Sequence, residues 1–417
     1  MPTDMQTVTT SADYHVLVSG QLVFTNQPAF LLSQPIVSGT WASPSPHLWI
    51  SGEVDVVMTS ASAAGSSGMD GIVISNTVDS SPSVTLDPGA TLKVTVSGGS
   101  AIGYFGGGSA APTFDNAGAV VVSADGAAQG LVNWVNDGLL TNSGQVIVTS
   151  ATSDATGLKT NGYGVQVLNS GSITVTGHGQ VTGVDMGASG THQVFHNTGT
   201  IVAHDDSTTQ TSVGVFWGDG PQPGLEGSFI NDGTIEADKA LDVEIGYGTA
   251  AENLITNNGR LVGTVWLGGG AAETLVNNGV IDGSVRMIGA GSLYDGRLGA
   301  ALGPIIGSNN GGNTLLGGAG PETMTGGLWN DTIAGGGGDD LIDGGDGANQ
   351  LDGGAGVNTV SFASVHGGVQ LDLGAGTARL ANGSDTLTGF AQAVGSPYND
   401  LLTGSSGDDS LDGSQGN

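Results

Sequence analysis

Between residues 317 and 361 the chain repeats itself every nine residues without a slip, as GGAGPETMT, GGLWNDTIA, GGGGDDLID, GGDGANQLD and GGAGVNTVS. A degenerate copy, SNNGGNTLL, occupies residues 308–316, and GSPYNDLLT and GSSGDDSLD follow at Gly395 and Gly404. The consensus is Gly-Gly-x-Gly-x-Asp-x-apolar-x. Its second half supplies one short strand with a single inward side chain, and its glycine-rich half supplies a turn. So small a unit cannot bury its own apolar residue. Successive copies must stack on one another, which makes the pattern that of a parallel β-solenoid.

The five unbroken copies resemble the RTX (hemolysin-type) calcium-binding repeat of secreted bacterial proteins. That resemblance implies a parallel β-roll in which two nonapeptides form one 18-residue turn and Ca2+ lies between loops a full turn apart. Calcium takes six to eight oxygens at about 2.3–2.6 Å. Backbone carbonyls and the sixth-position acid would provide them. On this chain, one edge of the roll would stack Asn313, Asp331 and Asn349, and the other Glu322, Asp340 and Asn358. Gly318, Gly320, Gly327, Gly336, Gly338, Gly345, Gly347, Gly354 and Gly356 would shape the loops, and Asp400 and Asp409 keep the motif in the last two copies. Only Asp331 and Asp340 match fully in the main block: Asn349 and Asn358 keep an oxygen without its charge, and Glu322 is longer by a methylene. About two to four sites are expected, the best at Glu322/Asp340, Asp340/Asn358 and Asp331/Asn349. The partners of Asp400 and Asp409 one turn on would fall at positions 418 and 427. Leu315, Met324, Ile333, Ile342, Leu351, Val360, Leu402 and Leu411 should face a thin core.

Electrostatics support a metal. Carboxylates stacked at the strand spacing of about 4.8 Å repel by roughly 3 kcal/mol at an effective dielectric near 20. The roll is therefore expected to be disordered at low calcium and to fold after export.

Ahead of the roll, apolar–polar alternation begins near Tyr14, with VLVSGQLVF, LWISGEVDVV and VTLDPGATLKV as the first runs. A looser repeat then takes over, Asn-x-Gly followed by an apolar stretch, with Asn at 116, 142, 169, 197, 231, 257 and 277. Two residues before each Asn stands Phe114, Leu140, Val167, Phe195, Phe229, Ile255 or Leu275. Four residues after it stands Val120, Val146, Ile173, Ile201, Ile235, Leu261 or Ile281. Even offsets place all of these on one strand face, and the glycine two places after Asn is expected to take a positive φ at a corner. One corner per 20 to 34 residues favours a right-handed parallel β-helix that continues into the β-roll. Hairpin turns of an antiparallel sandwich are the alternative. The region resembles the β-helices of bacterial adhesins and large exoproteins. Intervals that shrink from about 27 to 20 to 18 residues suggest one continuous solenoid, with residues 297–307 as either splice or linker. The organisation expected is thus a leader or cap over 1–13, a β-helix over 14–300, the first roll block over 301–361, a strand-containing insert over 362–394 and a second block over 395–417.

Composition limits the partners. Seven Lys and Arg against 38 Asp and Glu, a net charge of −31, exclude nucleic acid and anionic membrane surfaces. The 77 glycines follow no triplet period, so collagen is excluded too. There is no cysteine, hence no disulfide. No apolar run is long enough to span a bilayer, so no membrane insertion is expected. Residues 1–20 lack the pattern of a cleaved signal; the RTX resemblance implies instead an extracellular protein exported by type I secretion machinery. The sequence stops at GSQGN, one residue before the next expected Asp, which reads as truncation.

For function, the expectation is a non-catalytic calcium-binding structural, adhesive or surface-layer module with a cell-surface or polysaccharide ligand. The rival is a calcium-dependent polysaccharide lyase, hydrolase or C5-epimerase working in the β-helix groove. Gly177-His178-Gly179 and Asp205-Asp206 resemble fragments of polygalacturonase motifs in the opposite order, with too few bases nearby for an acidic substrate. His192, His196 and His204 offer a zinc set without a fourth ligand, and Trp49, Trp134, Trp217 and Trp266 read as packing residues.

Overall fold

Alternating apolar residues become short strands, and each strand pairs in parallel with the one a coil away. The computed structural model describes residues 6–8, 14–16, 21–25, 30–33, 47–59, 69–75, 83–107, 111–162, 164–187, 193–207, 210–218, 227–245, 253–269 and 272–416. They fall into two units, Met1–Ser228 with Asp232–Asp242, and Phe229–Asn231 with Val243–Asn417. No helix occurs among the described residues, and none is long and apolar enough to cross a membrane.

In the first unit each coil has three strands, and the strands form three ladders. One face stacks His47–Ile50, Ser83–Leu86, Thr113–Asn116, Leu139–Asn142, Gln166–Asn169 and Val194–Asn197. A second stacks Glu53–Thr59, Thr91–Ser97, Ala119–Ala124, Gln145–Ser150, Ser172–Gly177 and Thr200–Asp205. The third stacks Met69–Ser75, Ala101–Gly106, Ala128–Asn133, Ala155–Thr160, Val181–Met186 and Val213–Gly218. These pairings are parallel throughout, which rules out the antiparallel sandwich. VTLDPGATLKV and LWISGEVDVV each prove to be two strands on adjacent faces around a corner; VLVSGQLVF lies only partly within the described residues. Gln6–Val8, inside the expected leader, already pairs with Phe30–Leu32.

All fourteen apolar residues flanking the Asn-x-Gly corners are fully buried. The asparagines are buried as well, and they hydrogen-bond one another along the stack. In the first unit Asn116 Nδ2 donates to Asn142 Oδ1, Asn142 to Asn169 and Asn169 to Asn197, each at 2.7 Å. In the second, Asn231 donates to Asn257 and Asn257 to Asn277 at 2.8 Å, and Asn277 Nδ2 reaches Tyr294 Oη at 3.4 Å. Interior rungs both give and receive. Asn169→Ala should therefore cost about 2–4 kcal/mol, since one buried N–H and one buried oxygen lose partners; urea unfolding of the full chain would measure it.

The glycine of this corner departs from expectation. Gly118, Gly144, Gly171, Gly199, Gly233 and Gly279 do not have a positive φ. They are glycine because backbone from the preceding coil occupies the place of a side chain. A Cβ on Gly144 would lie 2.0 Å from Gly118 O, and one on Gly171 2.0 Å from Gly144 O.

The second unit begins with three-stranded coils and ends with two-stranded ones. Its first face stacks Glu273–Asn277, Leu293–Asp295, Thr314–Leu316, Thr332–Ala334 and Gln350–Asp352. Its third face stacks Val285–Met287, Ile305–Ile306, Thr323–Gly327, Leu341–Gly345 and Asn358–Ser361. The second face, Val280–Asp282 and Ala300–Ala301, goes no further. Paired strands thus carry the chain through residues 297–307 into the roll. With one face gone the core flattens: Leu315, Met324, Ile333, Ile342, Leu351 and Val360 are at most 2% exposed. Leu402 is half-buried and Leu411 is exposed. Expectation fails there because a side chain in a stack is covered by coils on both sides, and no described coil lies beyond residues 410–412.

Candidate metal sites

In the nonapeptide the apolar eighth residue points into the core and fixes the strand, which leaves the sixth residue at the inner end of the loop. Asn313, Glu322, Asp331, Asp340, Asn349 and Asn358 are all buried, with at most 5% exposed. They form two stacks, as the 18-residue spacing predicts. On one edge the Asn313 N–H donates to Asp331 Oδ1 at 2.6 Å and the Asp331 N–H to Asn349 Oδ1 at 2.9 Å. On the other, the Glu322 N–H donates to Asp340 Oδ1 at 2.8 Å and the Asp340 N–H to Asn358 Oδ1 at 2.9 Å.

That bond uses one side-chain oxygen of Asp331, Asp340, Asn349 and Asn358; Asn313 Oδ1 is buried without a partner, and Glu322 Oε2 accepts instead from the Gly318 N–H at 3.2 Å. The second atom separates amides from acids. Asn349 Nδ2 donates to Gly345 O at 3.4 Å, and Asn358 Nδ2 to Gly354 O at 3.3 Å and to Gly389 O at 3.0 Å. Asn313 Nδ2 reaches Ser308 O and Gly311 O. An amide therefore places its own N–H groups among the loop carbonyls. At Asp331 and Asp340 the corresponding Oδ2 is buried without a partner, because a carboxylate has nothing to donate. A buried carboxylate oxygen without a donor is the environment a hard cation relieves.

Burial drives the carboxyl chemistry. Asp331 is pushed up to about 6 by burial, and Glu322 to about 7 by burial together with the neighbouring Asp340 charge. Burial raises Asp340 too.

The backbone shows which loops are shaped to approach a cation. In repeats 335–340, 344–349 and 353–358 the second and fourth glycines are left-handed: Gly336 and Gly338 at φ 97° and 109°, Gly345 and Gly347 at 73° and 111°, Gly354 and Gly356 at 76° and 123°. Gly318, Gly320 and Gly327 are not left-handed. Of their repeats, GGLWND replaces the fourth glycine by Trp329, whereas GGAGPE keeps its glycines and carries Pro321 directly before the acid. The first glycine of the repeat is a cradle. A Cβ on Gly335 would lie 2.1 Å from Asp340 Oδ2 and 2.8 Å from Gly353 O. Gly335→Ala should accordingly displace the carboxylate and weaken calcium binding at least about tenfold, the factor set by roughly 1.4 kcal/mol; a calcium titration would show it.

The two late acids are placed differently from the main block. Asp400 accepts from Ser396 N–H at 2.8 Å and from Val369 N–H at 2.8 Å, so its neighbour in the preceding coil is a valine rather than a sixth-position oxygen. Asp409 is half-buried and accepts from Ser405. Sequence reasoning also missed Asp385, which is fully buried and receives the Asn349 N–H at 2.7 Å. The signal present was half a repeat, Gly383-x-Asp385-x-Leu387, without the leading glycine pair.

Residues weighed for other chemistry find separate partners. His196 Nε2 lies 2.6 Å from Asp232, and His204 pairs with Asp206 at 3.3 Å; His192 lies outside the described residues. Asp205 accepts from the Ser207 N–H and hydroxyl. Trp217 is buried, as packing predicts, but Trp134 is 56% exposed, its ring edge-on to Phe105.

The fold and the stacked loops define a parallel β-solenoid with a nonapeptide roll. Residues 325–360 and 392–417 match the RTX calcium-binding nonapeptide repeat, in four copies. These repeats are calcium-binding motifs, typical of secreted proteins. No curated protein and no solved structure matches the chain.

Proposed function

We propose that this is an extracellular calcium-binding protein whose coils serve as a structural or adhesive element, without a reaction of their own, and whose roll folds on calcium after type I export. Glu322/Asp340, Asp340/Asn358 and Asp331/Asn349 bracket the calcium positions, with loop carbonyls completing each shell. One observation carries the reading: Asp331 and Asp340 each hold a buried oxygen without a partner. Four of the seven bases are ion-paired, Lys159 with Asp185, Lys239 with Asp242, Arg260 with Asp282 and Arg297 with Asp295, which disfavours a groove for polyanionic substrate.

Calorimetric calcium titration of the full chain, paired with assays of uronic-acid release from alginate and pectin, tests both halves of the proposal. Calcium binding without product supports it. Absence of calcium binding sinks the metal reading, and calcium-dependent product release replaces the structural role with the enzyme.

A further inference from the structure

Residues 362–394 break the nine-residue register, yet they return the chain to the same stack. Ser384–Thr388 lies parallel on Gln350–Asp352, with Leu387 opposite Leu351. The offset of 36 residues equals two turns of the roll. The excursion is taken up by an antiparallel ribbon, Gln370–Asp372 against Thr377–Arg379 and Thr377–Arg379 against Ser384–Thr388.

Three observations place Asp385 at a sixth position of the ladder. The Asn349 N–H donates to its Oδ1 at 2.7 Å, the same bond that links Asn313 to Asp331 and Asp331 to Asn349. Gly383 stacks on Gly347 as Gly356 stacks on Gly338; a Cβ on either upper glycine would lie 1.9 Å from the carbonyl oxygen below. Asp385 is fully buried, and its Oδ2 has no hydrogen-bond partner. The opposite edge lacks this arrangement, since Phe390 stands across from Asn358.

We infer that Asp385 completes a further calcium site with the 344–349 loop, so that the insertion is a metal-held splice between the two roll blocks rather than an interruption. The inference rests on the calcium reading above. The carboxylate of Asp385 and carbonyls of the loop containing Gly345 and Gly347 would hold the ion. Its consequence is mechanical. Ser384–Thr388 anchors the ribbon, and the ribbon strand Gln370–Asp372 carries Leu401–Thr403 of the second block. An ion at Asp385 therefore fastens the second block to the first.

The test uses the full chain and Asp385→Asn, because Asn349 shows that an amide fits this stack and keeps the acceptor. Competition with a chromophoric chelator should find one calcium ion fewer in the variant, with the Glu322/Asp340 and Asp340/Asn358 sites on the opposite edge within about twofold in affinity. Arg379, exposed in the ribbon, is the only Lys or Arg after residue 300, so trypsin reports on the splice directly. Calcium should slow cleavage after Arg379 by about tenfold or more in the parent, and that protection should be lost in the variant. Equal calcium counts in parent and variant overturn the inference while leaving the other sites standing. A parent whose cleavage at Arg379 ignores calcium overturns it even if the variant does not fold. A parent that binds no calcium removes both readings.

Discussion

Calcium should stabilise the roll by about 2.7 kcal/mol for each site at one hundred times its dissociation constant. With sites in the submillimolar-to-millimolar class of extracellular modules, three of them saturated would contribute about 8 kcal/mol, comparable with the whole stability of an ordinary domain. In excess chelator, the buried and unpartnered oxygens of Asp331 and Asp340 have no compensating charge. Circular dichroism of the full chain should then show reduced strand signal, restored by calcium with a sigmoidal rise. Urea unfolding in chelator should show an early transition that calcium moves to higher urea. A strand signal and urea profile indifferent to calcium would contradict this. The asparagine-laddered coils carry no such requirement and should hold their transition in both conditions.

Acid should stabilise the metal-free roll. Free carboxyl groups of Asp and Glu titrate near 3.9 and 4.3, whereas Asp331 stands at about 6, and Glu322 and Asp385 at about 7, burial being the first cause in each. The folded state thus holds more protons than the unfolded chain between about pH 4 and pH 7. Stability must fall as pH rises through that window, and the full penalty is present above pH 7. Calcium reverses the slope, because an ion and a proton compete for the same oxygens. In EDTA the early urea transition should therefore be later at pH 5 than at pH 8; in saturating calcium the order should invert. A chelated protein more stable at pH 8 than at pH 5 would show that these carboxylates are solvated and not buried.

The periodicities were enough to specify a solenoid and much of its interior. The fourteen residues around the Asn-x-Gly corners and the eighth positions from Leu315 to Val360 are buried because a period of two on a strand permits only one inward face. The sixth-position stacks were legible through the RTX resemblance, whose 18-residue turn brings Asp331 over Asn313 and Asp340 over Glu322. What each side chain does at its position was harder to read. Asparagine in Asn-x-Gly looks like a turn residue, yet its amide is an internal ladder, and the glycine serves close packing of backbones instead of a left-handed turn. Both results depend on the neighbouring coil, which is distant in sequence.

The nonapeptide tract, through its resemblance to the RTX repeat, likewise implied a roll, a metal and the rows of atoms available to hold it. Only the tertiary structure distinguished amide rungs, whose N–H groups donate to loop carbonyls, from the Asp331 and Asp340 rungs, which each leave a buried oxygen without a donor. It also brought Asp385 into the stack from within the apparent break. Hydrogen-bond satisfaction in a buried stack is decided by the atoms of adjacent turns, and those adjacencies, 18 residues apart in the repeats and 36 across the insertion, exist only once the chain has wound.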